Sequence, residues 1–405
     1  MATKSTRTHG RFDSMIVTYK YRLYQSKRDR QLRDTITLAG RAYNHCIALH
    51  KRYYQLTGKH LNQYALMKHL TKLKKLDKYT WLNDIPSQAI QDIVQRIEKG
   101  YTLFFKSIRN KRGLKVRPPT FKKSCKYTSF TLKQAGYQFL EANRIRIGGK
   151  VYKYVKEREL VGKVKTVSVK RDRIGNLYLC VSQAVAEPPF KSTTGKMAGF
   201  DFGLKTFLTV HDGFDTYKIE SPLFFRQSLA EVRRAGRDLS RKKALSNNRR
   251  KANRELAITH ARISNRRQDG FFKLAHDLTD RYNILFLETL NLRGMKRMWG
   301  RKVSDLAFGM FLNILEHIAR KKGKLVGYID RFYPSSKTCR HCGCVHKDLK
   351  LSERWWRCPD CNKVVDRDEN AAVNIYREGA SSLGEVDVRP TPVGLSMMIP
   401  ETHAL

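Results

Sequence analysis

Met197–Val210 reads MAGFDFGLKTFLTV. The pattern predicts an apolar strand to Phe202, a turn near Gly203 and a returning strand from Phe207 to Val210, with one acid, Asp201, inside the apolar run. A carboxylate there costs free energy unless it binds something. Arg281–Leu290, RYNILFLETL, repeats the arrangement: an apolar run from Ile284 to Leu287 ends in a single acid, Glu288. Either acid alone is a weak signal, because a chance polar residue at a strand end looks the same. A third stretch, VVDRDENAAVNI from Val364 to Ile375, crowds Asp366, Asp368 and Glu369 into four positions ahead of a helix-like run. Its plainest reading is a helix cap in which Asp366 and Glu369 form a capping box. Asp368 is not used by that cap and can reach toward the sheet. Acids from two strands and one helix can converge on one or two Mg²⁺ ions, which take hard oxygen ligands. A pair of such ions can activate a water and stabilise the leaving oxygen of a phosphodiester.

Those acids stand out against their background. The chain has 405 residues with 81 Lys and Arg against 36 Asp and Glu, a formal net charge of +45. Such a surplus predicts a polyanionic partner. With 41% hydrophobic residues there is material for a core, and the length predicts two or three domains. The polar start MATKSTRTHGRFDS has no apolar segment like a signal peptide's, and hydrophobic runs stay short, so an intracellular protein that does not bind membrane is expected. Between Arg226 and Arg267 there are fourteen basic residues and three acids, Glu231, Asp238 and Glu255. Leu229, Val232 and Leu239 give this run a sparse helical stripe, and SNN at Ser246 marks a break. A helical hairpin with one thin apolar seam follows, its arginines, among them Arg233, Arg237, Arg241, Arg249 and Arg250, being candidates for phosphate contact.

The eight cysteines are unevenly placed. Cys46, Cys125 and Cys180 are isolated, whereas five lie between Cys339 and Cys361. The pairs Cys339/Cys342 and Cys358/Cys361 each have C-x2-C spacing, separated by fifteen residues, which predicts a four-thiolate Zn²⁺ ribbon. Cys344 falls outside the paired spacing and reads as a bystander. A ribbon this small has almost no core, so the metal should hold it together. Arg354, Trp355 and Trp356 fit two readings equally well: they stack on bases, or they cover the ribbon's minimal core.

The first half begins with an alternating strand, Met15 to Tyr24, followed by a helix over Gln31 to Gln55. In PSQAIQDIVQRIEKGYTLFFKSIR, the residues Ile90, Val94, Ile97, Tyr101, Phe104 and Ile108 recur at helical spacing, the pattern of a bundle core. From Lys115 the chain turns to short β-type segments, NRIRIGG, KTVSVKR and NLYLCVSQAVA, punctuated by Gly148, Gly149 and Gly175. These predict a small barrel or sheet that pairs with the early strand and leaves the helices inserted. EPPFKSTTGK reads as the linker closing this half.

The segments GFDFGLKTF, LFLETLNL, YPSSKTCRHCG, RCPDCN and DRDENAAVNI resemble, in order and spacing, the RuvC-I, RuvC-II, zinc-ribbon and RuvC-III motifs of the transposon-encoded TnpB nucleases, relatives of type V CRISPR effectors. The resemblance runs from about Met15 to Gly379. It implies an α/β multidomain protein: an RNase H-like RuvC nuclease domain with an inserted zinc ribbon, plus a β-barrel wedge domain carrying a helical recognition insert. The implied boundaries are a disordered leader over 1–14, the wedge barrel over 15–30 and 115–190, the recognition insert over 31–114, the RuvC domain over 191–335 and 363–380 with the arginine-rich hairpin at about 222–270, the ribbon over 336–362, and a mobile tail over 381–405. By motif, Asp201, Glu288 and Asp368 are similar to the catalytic acids, which also ligate Mg²⁺ in a two-ion site, and Cys339, Cys342, Cys358 and Cys361 to the zinc ligands. RAYNH, AIQDIV and PPTFKK are similar to family segments that touch guide RNA and the motif flanking the target, which makes Tyr43, Asn44 and Gln91 candidate contacts. The implied activity is RNA-guided, Mg²⁺-dependent cleavage of double-stranded DNA by a cytoplasmic, nucleoid-associated, monomeric ribonucleoprotein. Two other classes compete with it. One is a guided DNA-binding repressor, against which the three intact acids argue; the other is an RuvC-like resolvase or transposase that needs no RNA.

Overall fold

The computed structural model describes residues 14–110, 115–186, 188–190, 195–350 and 352–382. The leader over 1–13, the tail from 383 onward and most of the STTG part of the linker lie outside the described residues. Two compact units divide the chain, one from Ser14 to Val185 and the other from Ala186 onward.

In the first unit the order is β1 (Ser14–Arg22), α1 (Asp29–Thr57), α2 (Gln63–Leu73), α3 (Ser87–Arg109), β2 (Ser129–Leu132), β3 (Tyr137–Leu140), β4 (Arg144–Ile147), β5 (Lys150–Lys153), β6 (Lys163–Arg171) and β7 (Leu177–Ala186). The strands form a four-stranded sheet ordered β1-β7-β6-β2 and a three-stranded sheet ordered β3-β4-β5. An antiparallel bridge between Leu23 and Tyr154 carries the end of β1 from one sheet to the other. Helices and sheets share one core, in which Ile36, Ile47, Leu66, Ile93 and Ile97 meet Phe130, Val167 and Leu179. The α3 stripe is core only over its first half. Ile90, Val94 and Ile97 are buried, Tyr101 is partly so, and Ile108 is 56% exposed beside exposed Leu103 and Phe105. Toward its end the helix keeps local contacts, Phe105 lying edge-on to His60 and Ser107 bonding to the Val116 backbone.

The second unit continues with β8 (Met197–Phe202), β9 (Thr206–His211), β10 (Thr216–Glu220), α4 (Phe224–Gln227), α5 (Leu229–Ser240), α6 (Asn247–Arg281), β11 (Ile284–Glu288), α7 (Leu292–Leu306), α8 (Phe308–Lys321), β12 (Leu325–Ile329), β13 (Trp355–Arg357), β14 (Val364–Asp366) and α9 (Arg367–Ser381). Five strands make one mixed sheet ordered β10-β9-β8-β11-β12. β8, β9 and β10 form an antiparallel meander, and β11 lies parallel to both β8 and β12. Side chains alternate faces along a strand. Phe202 and Phe207 therefore enter an aromatic core with Phe271 of α6 and Phe308 and Phe311 of α8, ring centroids 5.0–6.2 Å apart. Phe286 faces the other way, into a cluster with Ile329 and Ile375 of α9. α5 and α6 form the expected helical hairpin. Ser246 caps α6 by accepting from the Arg249 N–H, and α6 runs on as a single 35-residue helix to Arg281.

Candidate active site and thiol cluster

The register of two parallel strands brings the first two acids together. Phe200 of β8 lies level with Leu287 of β11, so the next residues, Asp201 and Glu288, are neighbours at the carboxyl ends of adjacent strands. Alternation puts both on the face that carries Gly199 and Phe286, which is the face α9 covers. α9 lies unusually close to that face. A Cβ built on Gly199 would sit 2.6 Å from the Ala372 carbonyl oxygen and 2.5 Å from the Tyr376 nitrogen, so only glycine permits this contact. Ala371 and Ala372 are fully buried against the sheet. The close approach delivers Asp368, in the first turn of α9, to the strand ends. A Cβ on Gly203 would stand 3.8 Å from Asp368 Oδ2.

The three carboxylates feel one another. Burial, then the charges of Glu288 and Asp368, push the Asp201 carboxyl well above the usual range, with Arg367 and Arg354 opposing. Burial raises Glu288 as well, again opposed by Arg367. Asp368 is held by Arg354, whose Nη1 donates to Oδ1 at 2.8 Å and to Oδ2 at 2.9 Å. Among the described residues, the acids are not drawn within 4.8 Å of one another as the four ribbon thiols are. Two strand-borne carboxyls raised chiefly by burial, and a third paired with an arginine, form a donor set that suits a divalent cation: hard oxygens whose charge a 2+ ion would offset.

Asp366 and Glu369 have other work. Asp366 Oδ1 accepts from the Asp368 and Glu369 N–H groups at 2.9 and 3.0 Å, which is the expected cap. The reciprocal half of the capping box is replaced. Glu369 turns to Lys218 of β10, 3.0 Å away, and the same ammonium donates to Asp366 Oδ2 at 2.9 Å. Lys218 thus ties the edge of the sheet to the start of α9, a role its surroundings in sequence did not signal. Asn370 and Asn374 are buried and one turn apart, and both donate Nδ2 to the carbonyls of Ser335 and Thr338 at 2.6–3.3 Å. Asn370 Oδ1 also accepts from the Arg340 N–H. The i, i+4 spacing of two asparagines on an otherwise apolar face was the available sign of this clamp.

Beside it lie the four cysteines. All are free thiols, and the sulfurs of Cys339, Cys342, Cys358 and Cys361 lie within 4.8 Å of one another. Cys339 and Cys361 are 3.7 Å apart and Cys342 and Cys358 are 3.4 Å apart. Disulfide bonding needs about 2.05 Å, whereas four sulfurs about 2.3 Å from a central tetrahedral ion stand about 3.8 Å apart. The arrangement fits one ion. The Cys361 and Asp360 N–H groups lower the Cys358 thiol, while Cys342 and Cys361, sharing hydrogen bonds with it, are raised. Cys344 stays outside the set, yet its carbonyl accepts from the Cys339 N–H at 2.8 Å and closes the first knuckle. The two tryptophans divide the readings. Trp356 is buried with Val365 in the ribbon's small core, and Trp355 is 64% exposed.

Several candidate contacts serve the protein itself. Tyr43 is buried, its hydroxyl donating to the Thr120 carbonyl and its ring beside that of Tyr127. Asn44 uses both ends of its amide on the Lys122 backbone, at 2.8 and 2.9 Å. Arg249 donates to the carbonyls of Leu239 and Lys242 and thereby closes the α5–α6 turn. Gln91, Arg233, Arg237, Arg241 and Arg250 are exposed.

Known proteins share this plan. The family OrfB_IS605, described as "Probable transposase", matches residues 178–298, and the family "Cas12f1-like, TNB domain" matches residues 308–375. A Streptomyces pristinaespiralis protein named "Putative RNA-guided DNA endonuclease" is 29% identical over 378 residues, 92% of either chain. "Putative RNA-guided DNA endonuclease InsQ" of Escherichia coli K12 is 26% identical over 84% of this chain and 86% of its own. Among solved structures, the protein of a Cas12f1-sgRNA-target DNA complex superposes with a TM-score of 0.57 at 14% identity, over 90% of this chain and 99% of that one, a likeness of fold. The fold is thus the mixed α/β architecture of the type V effectors, with a four-cysteine module set before the last helix. Within that class the chain is similar to the transposase and TnpB-like proteins that match it.

Proposed function

We propose that the protein is an RNA-guided DNA endonuclease of the RuvC type, with Asp201, Glu288 and Asp368 as its catalytic, Mg²⁺-ligating acids. The observation that supports this best is the level placement of Asp201 and Glu288 on adjacent parallel strands, with Asp368 brought to them by the helix that Gly199 admits. When bound, Mg²⁺ would supply the activated water and the stabilised leaving oxygen of phosphodiester hydrolysis. The chain's own part is to hold three hard donors at one face, where a bound cation would displace the proton that burial favours on Asp201 and Glu288. Arg354 donates once to each oxygen of Asp368, which orients the carboxylate and leaves each oxygen a further lone pair for a cation. The thiol cluster is read as a structural Zn²⁺ site.

The remaining parts follow from the relatives and from charge. A guide RNA and double-stranded target DNA are the partners, pairing reads the sequence, and the protein reads a short flanking motif. The first unit is read as a wedge barrel with a helical recognition insert, and exposed Gln91, Arg233, Arg237, Arg241 and Arg250 are read as nucleic-acid contacts. A monomeric, cytoplasmic ribonucleoprotein completes the proposal. The test is a pair of plasmids that differ only in target sequence, each challenged with matched and mismatched guides. Cleavage should follow the guide and require Mg²⁺. Cutting that ignores the guide, or persists after the RNA is digested away, would move the protein to the RNA-independent resolvase class.

A further inference from the structure

Trp355 begins strand β13 with its ring in solvent, while its neighbour Trp356 is buried in the ribbon core. A single exposed aromatic needs no explanation in general, so its setting must decide. Trp355 pairs directly with Asp366 across the β13–β14 ladder. Opposite residues of an antiparallel pair project from the same face. The indole therefore stands on the face where Asp366 caps α9, two residues before Asp368. Arg354, one residue before it, grips the Asp368 carboxylate, and Arg357, two residues after it on the same face, is exposed and bonded to Asn362. Between Ser336 and Lys363 there are seven Lys and Arg against three acids.

The mount is stiff. Trp356 packs edge-on to His346 at 5.5 Å, the four thiols close the knuckles, and Asn370 and Asn374 pin the ribbon's entry to α9. An aromatic plane held rigidly beside cations and an acid cluster matches what single-stranded nucleic acid needs: a face for a base and positive charge for its phosphates.

We propose that Trp355 is a stacking platform for an unpaired base of the DNA strand entering the acid site, and so a positioning residue for cleavage. The charge around it selects a polyanion, and the flat ring selects a base over a protein side chain. The platform is tolerant of base identity, because every base offers a π-face. This inference rests on the nuclease reading, and its test keeps the two apart.

Trp355→Leu, which keeps apolar bulk, and Trp355→Tyr, which keeps a ring, are compared in the guide-loaded protein with a single-stranded oligonucleotide substrate. Zinc content reports an intact ribbon. Stacking by one base predicts that Trp355→Leu raises KM by about 5- to 150-fold with little change in kcat, while Trp355→Tyr stays within about threefold. An abasic site walked along the oligonucleotide should reproduce the loss at one position near the cut. Combining that abasic site with Trp355→Leu should cost nothing further. An unchanged KM in Trp355→Leu, or losses that simply add, overturns the proposal. Should Trp355→Leu shed zinc, the abasic scan decides on the native protein: no position that weakens binding refutes the platform. Affinity for the oligonucleotide is measured in parallel on Asp201→Asn. A native protein that cuts nothing refutes the nuclease reading, while a loss of oligonucleotide affinity in Trp355→Leu would still uphold the platform.

Discussion

Asp201 shows how a buried carboxyl strains the fold that holds it. Its carboxyl is raised by burial and by Glu288 and Asp368, so the native state keeps a proton that the unfolded chain has released. Stability then falls as pH rises from the ordinary carboxyl range through the raised native value, and above that value the full penalty persists. Asp201→Asn removes this penalty and the ligand together. Cleavage should be lost, while the metal-free variant should melt higher than the native protein at about pH 8. The difference should shrink as pH falls toward the ordinary carboxyl range, because the raised native carboxyl takes up its proton first. Thermal melts of both proteins in chelator across that range check this. A difference that is flat with pH would remove the buried-proton account. Asp366 and Glu369, two residues before and one after Asp368, are satisfied instead by the helix cap and by Lys218.

At the scale of elements, α9 joins the sheet, the acid site and the ribbon. One of its faces is made of Ala371, Ala372 and Ile375 against β8 and β11, and another presents Asn370 and Asn374 to the ribbon's first knuckle. The ribbon has little else to hold it: its buried cluster consists of Cys339, Leu349, Trp356, Cys358 and Val365. A structural zinc supplies on the order of 10–16 kcal/mol to such a module, far more than five small contacts. Chelation should therefore release one zinc per chain and shift Trp356 fluorescence toward that of an exposed indole. Cys339→Ser should do the same without chelator. Because Arg354 and Trp355 leave the acid site with the ribbon, guided cleavage should fall with it. The sheet, whose aromatic core is on the opposite face, should persist as a separate melting transition. Full cleavage in a zinc-free preparation would show that the acids work without the ribbon.

Over the whole molecule the excess of +45 is a statement about partners. The α5–α6 hairpin buries no residue of α5 and exposes Arg233, Arg237, Arg241 and Arg250, which is a poor way to build a core and a good way to face phosphates. Affinity for the guide RNA should fall linearly in a log–log plot against salt, with a slope of about 0.9 per phosphate neutralised on duplex segments. Replacing those four arginines by alanine should lower the slope by about one each, if each meets a phosphate. Filter binding across a salt series measures it. An unchanged slope would assign the hairpin's charge to solvent.

Much of this was legible in the linear sequence, because the signals were short-range. Strand alternation around Asp201 and Glu288, the helix after Asp366, the break at Ser246 and the paired cysteine spacing depend only on period and local turns. The resemblance to TnpB nucleases rested on the same segments that the two matching families cover. Contacts between distant segments were another matter. Nothing near Tyr43 or Asn44 shows that the backbone of Thr120 or Lys122, nearly eighty residues on, engages the side chain. Nor does local sequence tell Trp355 from Trp356, since both readings of the pair were open until β14 set the register and buried one ring. The choice of Lys218 over the Asp366 N–H by Glu369, and of Arg354 as the partner of Asp368, came from the same source. Period and spacing are properties of neighbours along the chain and survive without a fold. A polar side chain's partner is whatever tertiary packing brings within about 3 Å, and only the assembled sheet, helix and ribbon decide that.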